Sequence, residues 1–233
     1  MARRPDSRQS RAHDYDVDMF HVQLLSTNLD RNRIILNVIE EVTARSDQMR
    51  KLIFGINLSL DGCVDHTKMS GDDEIHEYFA DVMRDADLLV YGRKTYQLMV
   101  PFWPDVAKNR SGRTKAMNDF AEAFDSVPMI VFSQSLDTVE GENRRIVRGN
   151  LQDEILKLKQ EPGGNILTGG VSLPSQLIEL GLVDEYHFVI QPVVVGEGRR
   201  FLDDVSLPQN LQLQLVESKI FKSGVAALRY LKQ

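Results

Sequence analysis

Apolar residues change their spacing repeatedly along this chain, and the changes mark out its elements. Residues 52–58 form a nearly unbroken apolar run next to charged Lys51, as a buried strand does. Residues 73–84 place Ile75, Phe79 and Val82 at helical spacing. Residues 88–91 are a second strand, followed by a short helix over 95–100. Residues 114–124 read as a helix with Met117, Phe120 and Phe124 on one side. Short strands follow at 129–132, after Pro128, and at 145–147. A helix over 151–160 is broken by Pro162-Gly163-Gly164. A strand at 165–167 leads to a helix at 174–180 that Gly181 ends. Residues 186–195 read as a long strand interrupted by Pro192, and 211–221 with 225–231 as a hairpin about Lys222-Ser223-Gly224. Strands alternating with helices predict an α/β domain with a mostly parallel central sheet flanked by helices. The closing hairpin should add antiparallel strands at one edge.

Residues 1–48 have another texture. Arg3, Arg4, Arg8 and Arg11 sit among polar residues, and Asp14, Asp16 and Asp18 alternate with others. Ile35, Val38 and Ile39 recur at helical spacing. This stretch reads as a mostly disordered or partly helical N-terminal extension, and 49–233 as the folded domain. Met49 stands directly before that domain, so a start there is one reading of the extension. The first fifty residues hold eight basic and eight acidic side chains, which leaves the net charge of −6 to the remainder.

Composition narrows the class. With 42% hydrophobic residues the chain can bury a core. No Lys/Arg run exceeds two residues, so no nucleic-acid partner is expected. No apolar run approaches the roughly 18–20 residues of a membrane span, and the N-terminus lacks the apolar block of a secretory signal. A single cysteine, Cys63, rules out an intrachain disulfide and a cysteine-based zinc cluster, and suits a reducing cytoplasm.

Two stretches carry candidate chemistry. In "DLLVYGRKTYQLM", residues 87–99, a buried strand ends in Gly92-Arg93-Lys94-Thr95. The arrangement is either a surface turn with ordinary charges or an anion grip. An Arg fork beside a Lys suits a phosphate monoester. In "NILTGGVSLPSQLIELGLVDE", residues 165–185, a strand runs into Thr168-Gly169-Gly170, Ser172 is a candidate N-cap, and Pro174 opens a helix. Bare backbone donors before a helix N-terminus suit a diphosphate, although a tight turn with positive φ explains Gly-Gly equally well. The dinucleotide fingerprint G-x-G-x-x-G is absent. In open α/β sheets ligands gather beyond the carboxyl ends of the strands, where both stretches would lie.

Gly92-Arg93-Lys94-Thr95-Tyr96 resembles the G-R-x-T-[WY] turn of dihydrofolate reductases. Residues 50–231 as a whole resemble the reductase domain of bacterial riboflavin biosynthesis, the C-terminal half of the bifunctional deaminase-reductase and its stand-alone relatives. "NLSLDG" at 57–62, "TGG" at 168–170 and "LIELGLVDEYHFVIQPVVVGEGRRFL" at 177–202 are similar to further motifs of that family, in the same order. The resemblance implies a dihydrofolate reductase-like fold, a homodimer, and NADPH as hydride donor to a small heterocyclic or ribosylamino-pyrimidine-like substrate. It implies cofactor binding by Gly92, Arg93, Lys94, Thr95, Ser133, Thr168, Gly169, Gly170, Val171 and Ser172, and substrate binding by Asn57, Ser59, Asp61, Gly62 and Arg199. Asp61, through a water, and His76 are the candidate proton donors. Asp61 reads equally as a turn aspartate bonding its own backbone, and Ser133 as a strand-end cap.

The departures are informative. The acid that serves dihydrofolate reductases on their first helix falls near Ile75, between Glu74 and His76, so folate reduction is not expected. No P-C-x-x-C occurs, so deamination by a zinc centre is excluded. Two other readings stay open: a metal-binding loop using Asp61, Asp65, His66, Asp72, Asp73 and His76, and a non-catalytic NADPH-binding relative that acts through a protein partner. His187 reads as a partly buried sheet residue, and Phe102 and Trp103 as packing residues.

Overall fold

The computed structural model describes residues 49–233 except Ser70, Asp204 and Pro208. The expectations for residues 1–48 lie outside the described residues. Among the described residues the strands are β1 (Leu52–Ser59), β2 (Ala86–Gly92), β3 (Met129–Phe132), β4 (Arg144–Val147), β5 (Asn165–Gly169), β6 (Glu185–Gln191), β7 (Leu213–Ile220) and β8 (Ala226–Lys232). They form one sheet in the order β4-β3-β2-β5-β1-β6-β8-β7. The run from β4 to β6 is parallel throughout; β8 is antiparallel to β6, and β7 to β8. The parallel sheet with an antiparallel hairpin at its edge matches the architecture read from the sequence.

The helices are α1 (Asp73–Arg84), α2 (Arg93–Met99), α3 (Trp103–Asn109), α4 (Lys115–Ser126), α5 (Leu151–Gln160) and α6 (Ser172–Glu179). Successive strand residues point to opposite faces. Leu52, Phe54, Ile56, Leu88 and Val90 therefore pack with Ile155 and Leu158 of α5 and Leu177 and Ile178 of α6. Ile53, Leu89, Tyr91 and Leu167 pack on the other face with Ala80 and Met83 of α1 and Phe120 and Phe124 of α4. Helices on both faces leave the central strands no polar side to show, and this is why they read as continuous apolar runs.

Local chemistry sets several boundaries. Asp72 Oδ1 accepts from the Ile75 amide at 2.8 Å and starts α1. Thr114 and Asn150 cap α4 and α5 in the same way. β6 stops at Gln191 rather than running to 195, because Pro192 has no amide to give the ladder. The helix expected at 95–100 begins two residues earlier, so Arg93 and Lys94 form its first turn. The helix expected from Pro174 begins at Ser172. Ser172 is thus helical, and Val171 holds the cap position without a side-chain bond. Pro174 still falls among the first four residues, whose amides have no intrahelical acceptor. The short helix α3, at the Phe102-Trp103-Pro104 stretch, was not read from the sequence.

Two polar clusters are built into the sheet. Lys159 Nζ donates to Asp184 Oδ2 at 2.5 Å and to the Leu182 carbonyl at 3.1 Å, while the Leu52 amide donates to the same Asp184 oxygen at 2.8 Å. In the second, His187 Nδ1 bonds the Tyr78 hydroxyl at 2.7 Å and Nε2 bonds Glu185 Oε1 at 2.8 Å; Arg229 Nε donates to that oxygen at 2.6 Å. Burial pushes the Glu185 carboxyl up. The bonds to His187 and Arg229 outweigh it and hold the group down at about 2.

Candidate active site

A cavity of about 570 Å3 opens at the carboxyl ends of β2 and β5, beside β1. The two stretches singled out in the sequence meet there. Gly92, Arg93, Lys94 and Thr95 line one side, and Thr168 to Ser172 line the next. Their contact is close enough to demand glycine. Gly170 has φ +85°, and a Cβ on it would overlap Thr95 Oγ1 outright, with Thr95 Cβ and Cγ2 at 3.2 and 3.3 Å. A Cβ on Gly169 would stand 3.4 Å from both the Gly55 carbonyl oxygen and Tyr91 Cε1. The turn after β5 can therefore press on α2 only because Gly170 lacks a side chain, whereas a Cβ on Gly169 would make ordinary contacts.

The charges are distributed unevenly. Arg93 is exposed, and its Nη1 donates to Gln97 Oε1 at 3.1 Å, one turn along α2. Lys94 is exposed beside it. Arg199 reaches the wall from the 192–200 loop, where its Nη1 donates to Ser172 Oγ at 3.3 Å. Thr168 is fully buried and gives its hydroxyl to the Val90 carbonyl at 2.7 Å, so it joins β5 to β2 and leaves the turn after it to face the cavity. Asn57 also lines the wall, with its Oδ1 buried and no hydrogen-bond partner among the described residues. A buried acceptor left open costs free energy unless a ligand supplies the donor. Among the described residues no Asp or Glu lines this cavity.

Several expected site residues turn out to be structural. Asp61 was a candidate acid and substrate ligand. Its carboxylate is already taken: it accepts from Ser59 Oγ at 2.7 Å, the Val195 amide at 3.0 Å, the Gly196 amide at 2.9 Å and Arg200 Nη2 at 3.2 Å. The Ser59 bond, then those to Val195 and Gly196, hold it well below the usual carboxylate range. It clamps the 192–200 loop to the end of β1 and has no proton to give near neutrality. Ser59 is buried, donates to Asp61 and accepts from the Cys63 amide at 2.8 Å. Gly62 supplies the positive φ of the same turn. None of the three lines the cavity.

His76 was the other proton donor expected. Its ring packs against Trp103 and Phe120, 5.7 Å from each centroid, away from the cavity wall. Burial lowers its affinity for a proton, and Nδ1 is buried with no hydrogen-bond partner among the described residues. Ser133 Oγ accepts from the Ser135 and Leu136 amides at 3.2 and 3.0 Å, which makes it a cap on the turn after β3. Phe132 reaches the cavity in its place. No group of three His, Cys, Asp or Glu side chains among the described residues converges as a metal site would.

Sequence reasoning had His66 only in the 61–76 loop and missed its place on the cavity, which it lines from a 3-10 turn over His66–Lys68. Asp65 starts that turn by accepting from the Thr67 amide at 2.9 Å and the Thr67 hydroxyl at 2.7 Å. The Asp-x-Thr spacing was the available signal. It also passed over Leu98 and Met99, four residues beyond Lys94 and Thr95 and hence on the same face of α2.

Residues 50–227 match the RibD C-terminal domain. The chain belongs to that family. The uncharacterized protein YyaP of Bacillus subtilis is 32% identical over 208 residues, covering 88% of this chain and 98% of YyaP. Among solved structures, a protein ascribed to riboflavin biosynthesis from Shewanella sp. PV-4 superposes with a TM-score of 0.59 at 21% identity, over 78% of this chain and 99% of that one. Dihydrofolate reductase from Enterococcus faecalis, complexed with NADP(H), superposes with a TM-score of 0.52 at 15% identity, over 78% and 96% of the two chains. At such identities the structural likeness establishes the fold, which is dihydrofolate reductase-like, as the RibD C-terminal resemblance implied. Among the described residues no helix is long and apolar enough to cross a membrane.

Proposed function

We propose that the protein is an NADPH-dependent reductase of a small substrate bearing a C=N or C=O group. The observation that carries this reading is the meeting of two anion-suited turns in one cavity. The residues present fit the cofactor. Gly170 leaves bare a turn that a side chain would fill, and Val171 and Ser172 open α6 beyond it. Arg93 and Lys94 offer a fork and a point charge for the 2′-phosphate that distinguishes NADPH from NADH. Asn57 Oδ1 awaits a donor.

When bound, the reduced nicotinamide supplies a hydride, two electrons and one hydrogen nucleus. The chain's own part is to align the two reactants, exclude water and see that a proton reaches the reduced group. Asp61 and His76 do not face the cavity, so the proton comes from solvent or from His66. The family's reaction on a ribosylamino-pyrimidine is the natural first substrate to assay. The same reading has the protein cytoplasmic and homodimeric, joined along β7, whose Leu215, Val216 and Ile220 are exposed at the sheet edge.

The test is to titrate the protein with NADPH and NADH beside an Arg93→Ala/Lys94→Ala variant. Charge-assisted bonds to phosphate are worth roughly 1.5–3 kcal/mol each. With both bonds lost, about 3–6 kcal/mol in all, NADPH affinity should fall at least a hundredfold in the variant, with NADH affinity unchanged. Equal affinity of the unaltered protein for both nucleotides would refute the assignment of these side chains.

A further inference from the structure

With the two turns given to the nucleotide's phosphates, the remaining wall of the cavity has a distinct chemistry. Met69, Phe79, Met83, Leu98, Met99 and Phe120 form it, drawn from the loop after the 3-10 turn and from α1, α2 and α4. Asn57 and His66 supply polar groups at its edge. Tyr91, on the sheet floor, is almost wholly buried, and burial raises its phenol far out of the working range. Among the described residues no carboxylate lines the cavity. The one Arg outside α2 bonds Ser172, on the nucleotide side. Arg200 is spent on Asp61: Nε donates to its carbonyl at 3.0 Å and Nη2 to its carboxylate at 3.2 Å.

We infer that the substrate reduced in this cavity is an uncharged, predominantly apolar ring compound carrying a carbonyl or imine, and not a phosphoribosylated aminopyrimidine. The inference rests on the NADPH-reductase reading above. A phosphate dianion against this wall would lose its hydration and, among the described residues, meet only the His66 imidazole at its edge and Arg199, which is engaged with Ser172. An aminopyrimidine would find no carboxylate for its amino and ring N–H groups, and unpaired donors are what such a site rejects most strongly. Methionine side chains are flexible and polarisable, and three of them beside two phenylalanines accept flat rings of differing outline. The reaction balances simply. The C–H bond at the dihydronicotinamide breaks, a C–H bond forms at the electrophilic carbon, and one proton is added to the oxygen or nitrogen.

The experiment uses protein saturated with NADP+, which binds the nucleotide half and allows no turnover. Calorimetric titration with menadione, a neutral apolar ring, is compared with titration by the phosphoribosylamino-uracil. Menadione should bind at least tenfold more tightly. Leu98 is 51% exposed, so Leu98→Glu can carry a charge into the wall without disturbing the core. That variant should weaken menadione about tenfold, the loss expected when one leucine's apolar contact is replaced by a charge, with NADP+ kept saturating because a Glu four residues beyond Lys94 competes for that cation. Equal or tighter binding of the phosphorylated pyrimidine overturns the inference. So does absence of menadione binding, or indifference to Leu98→Glu. If NADP+ itself fails to bind in the preceding titration, the cofactor reading falls first, and the substrate inference falls with it at that separate step.

Discussion

Gly170→Ala is the most searching perturbation of the cavity. Two costs can be worked out. Alanine at φ +85° enters the left-handed region at roughly 1–2 kcal/mol. The new methyl also overlaps Thr95 Oγ1, so Thr95 must leave its rotamer or α2 must move, which costs roughly 1–3 kcal/mol. The total is about 2–5 kcal/mol of stability, read as a shift of the urea midpoint at constant slope. Adding Thr95→Ala removes Oγ1 and Cγ2 and leaves only Thr95 Cβ, 3.2 Å from the new methyl. The double variant should recover about 1–2 kcal/mol of the steric part and none of the φ part. NADPH affinity should fall in the single variant and return in part in the double one. Strictly additive effects of the two substitutions would refute the argument, since they would mean that the 169–170 turn and α2 do not press on one another.

Other consequences can be checked more briefly. Glu185 ordinarily titrates near 4.5 and is held at about 2 in the fold, so its stabilisation is complete above pH 4.5 and is lost as pH falls toward 2. It is worth on the order of 3 kcal/mol, and Glu185→Gln should flatten the acid limb of urea midpoints measured from pH 5 to pH 3. His76 binds its proton less readily in the fold than its ordinary 6.5, so it contributes a stability that is present above pH 6.5 and declines below it; His76→Phe should remove that decline and cost less than about 1 kcal/mol. Asp61→Asn should speed proteolytic cleavage within 192–200, because bonds to Val195, Gly196 and Arg200 weaken; unaltered cleavage would show that the carboxylate is not the clamp.

The parallel strands were legible because burial on both faces leaves no polar alternation to confuse with a helix. The two turns were legible because glycine and clustered cations at a strand end have few uses. Helix starts were less so. Arg93 and Lys94 carry no apolar period, and α2 was placed two residues late. Asp61 was misread for a different reason: its amide and guanidinium partners at Val195, Gly196 and Arg200 lie more than 130 positions away, and no local pattern announces them. The apolar wall had the same obstacle. Met69, Met83, Leu98 and Phe120 belong to four separate segments, and only the topology brings them to one cavity. His66 was read as part of a solvated acidic loop, and its place on the wall depends on the turn that Asp65 and Thr67 build.

The strand order also dictates a schedule. β1 leads the described sheet in sequence, yet both of its neighbours, β5 and β6, come from beyond residue 164. On the ribosome, at roughly 5–20 residues per second, β1 waits on the order of 5–20 s for its first partner. Throughout that interval an apolar strand has both hydrogen-bonding edges open, the condition in which chains pair with one another instead of with themselves. Nascent chains of this protein are therefore clients for whatever shields unpaired strands in the cell, and a product that stops before residue 165 is destined for aggregation or degradation and not for partial function.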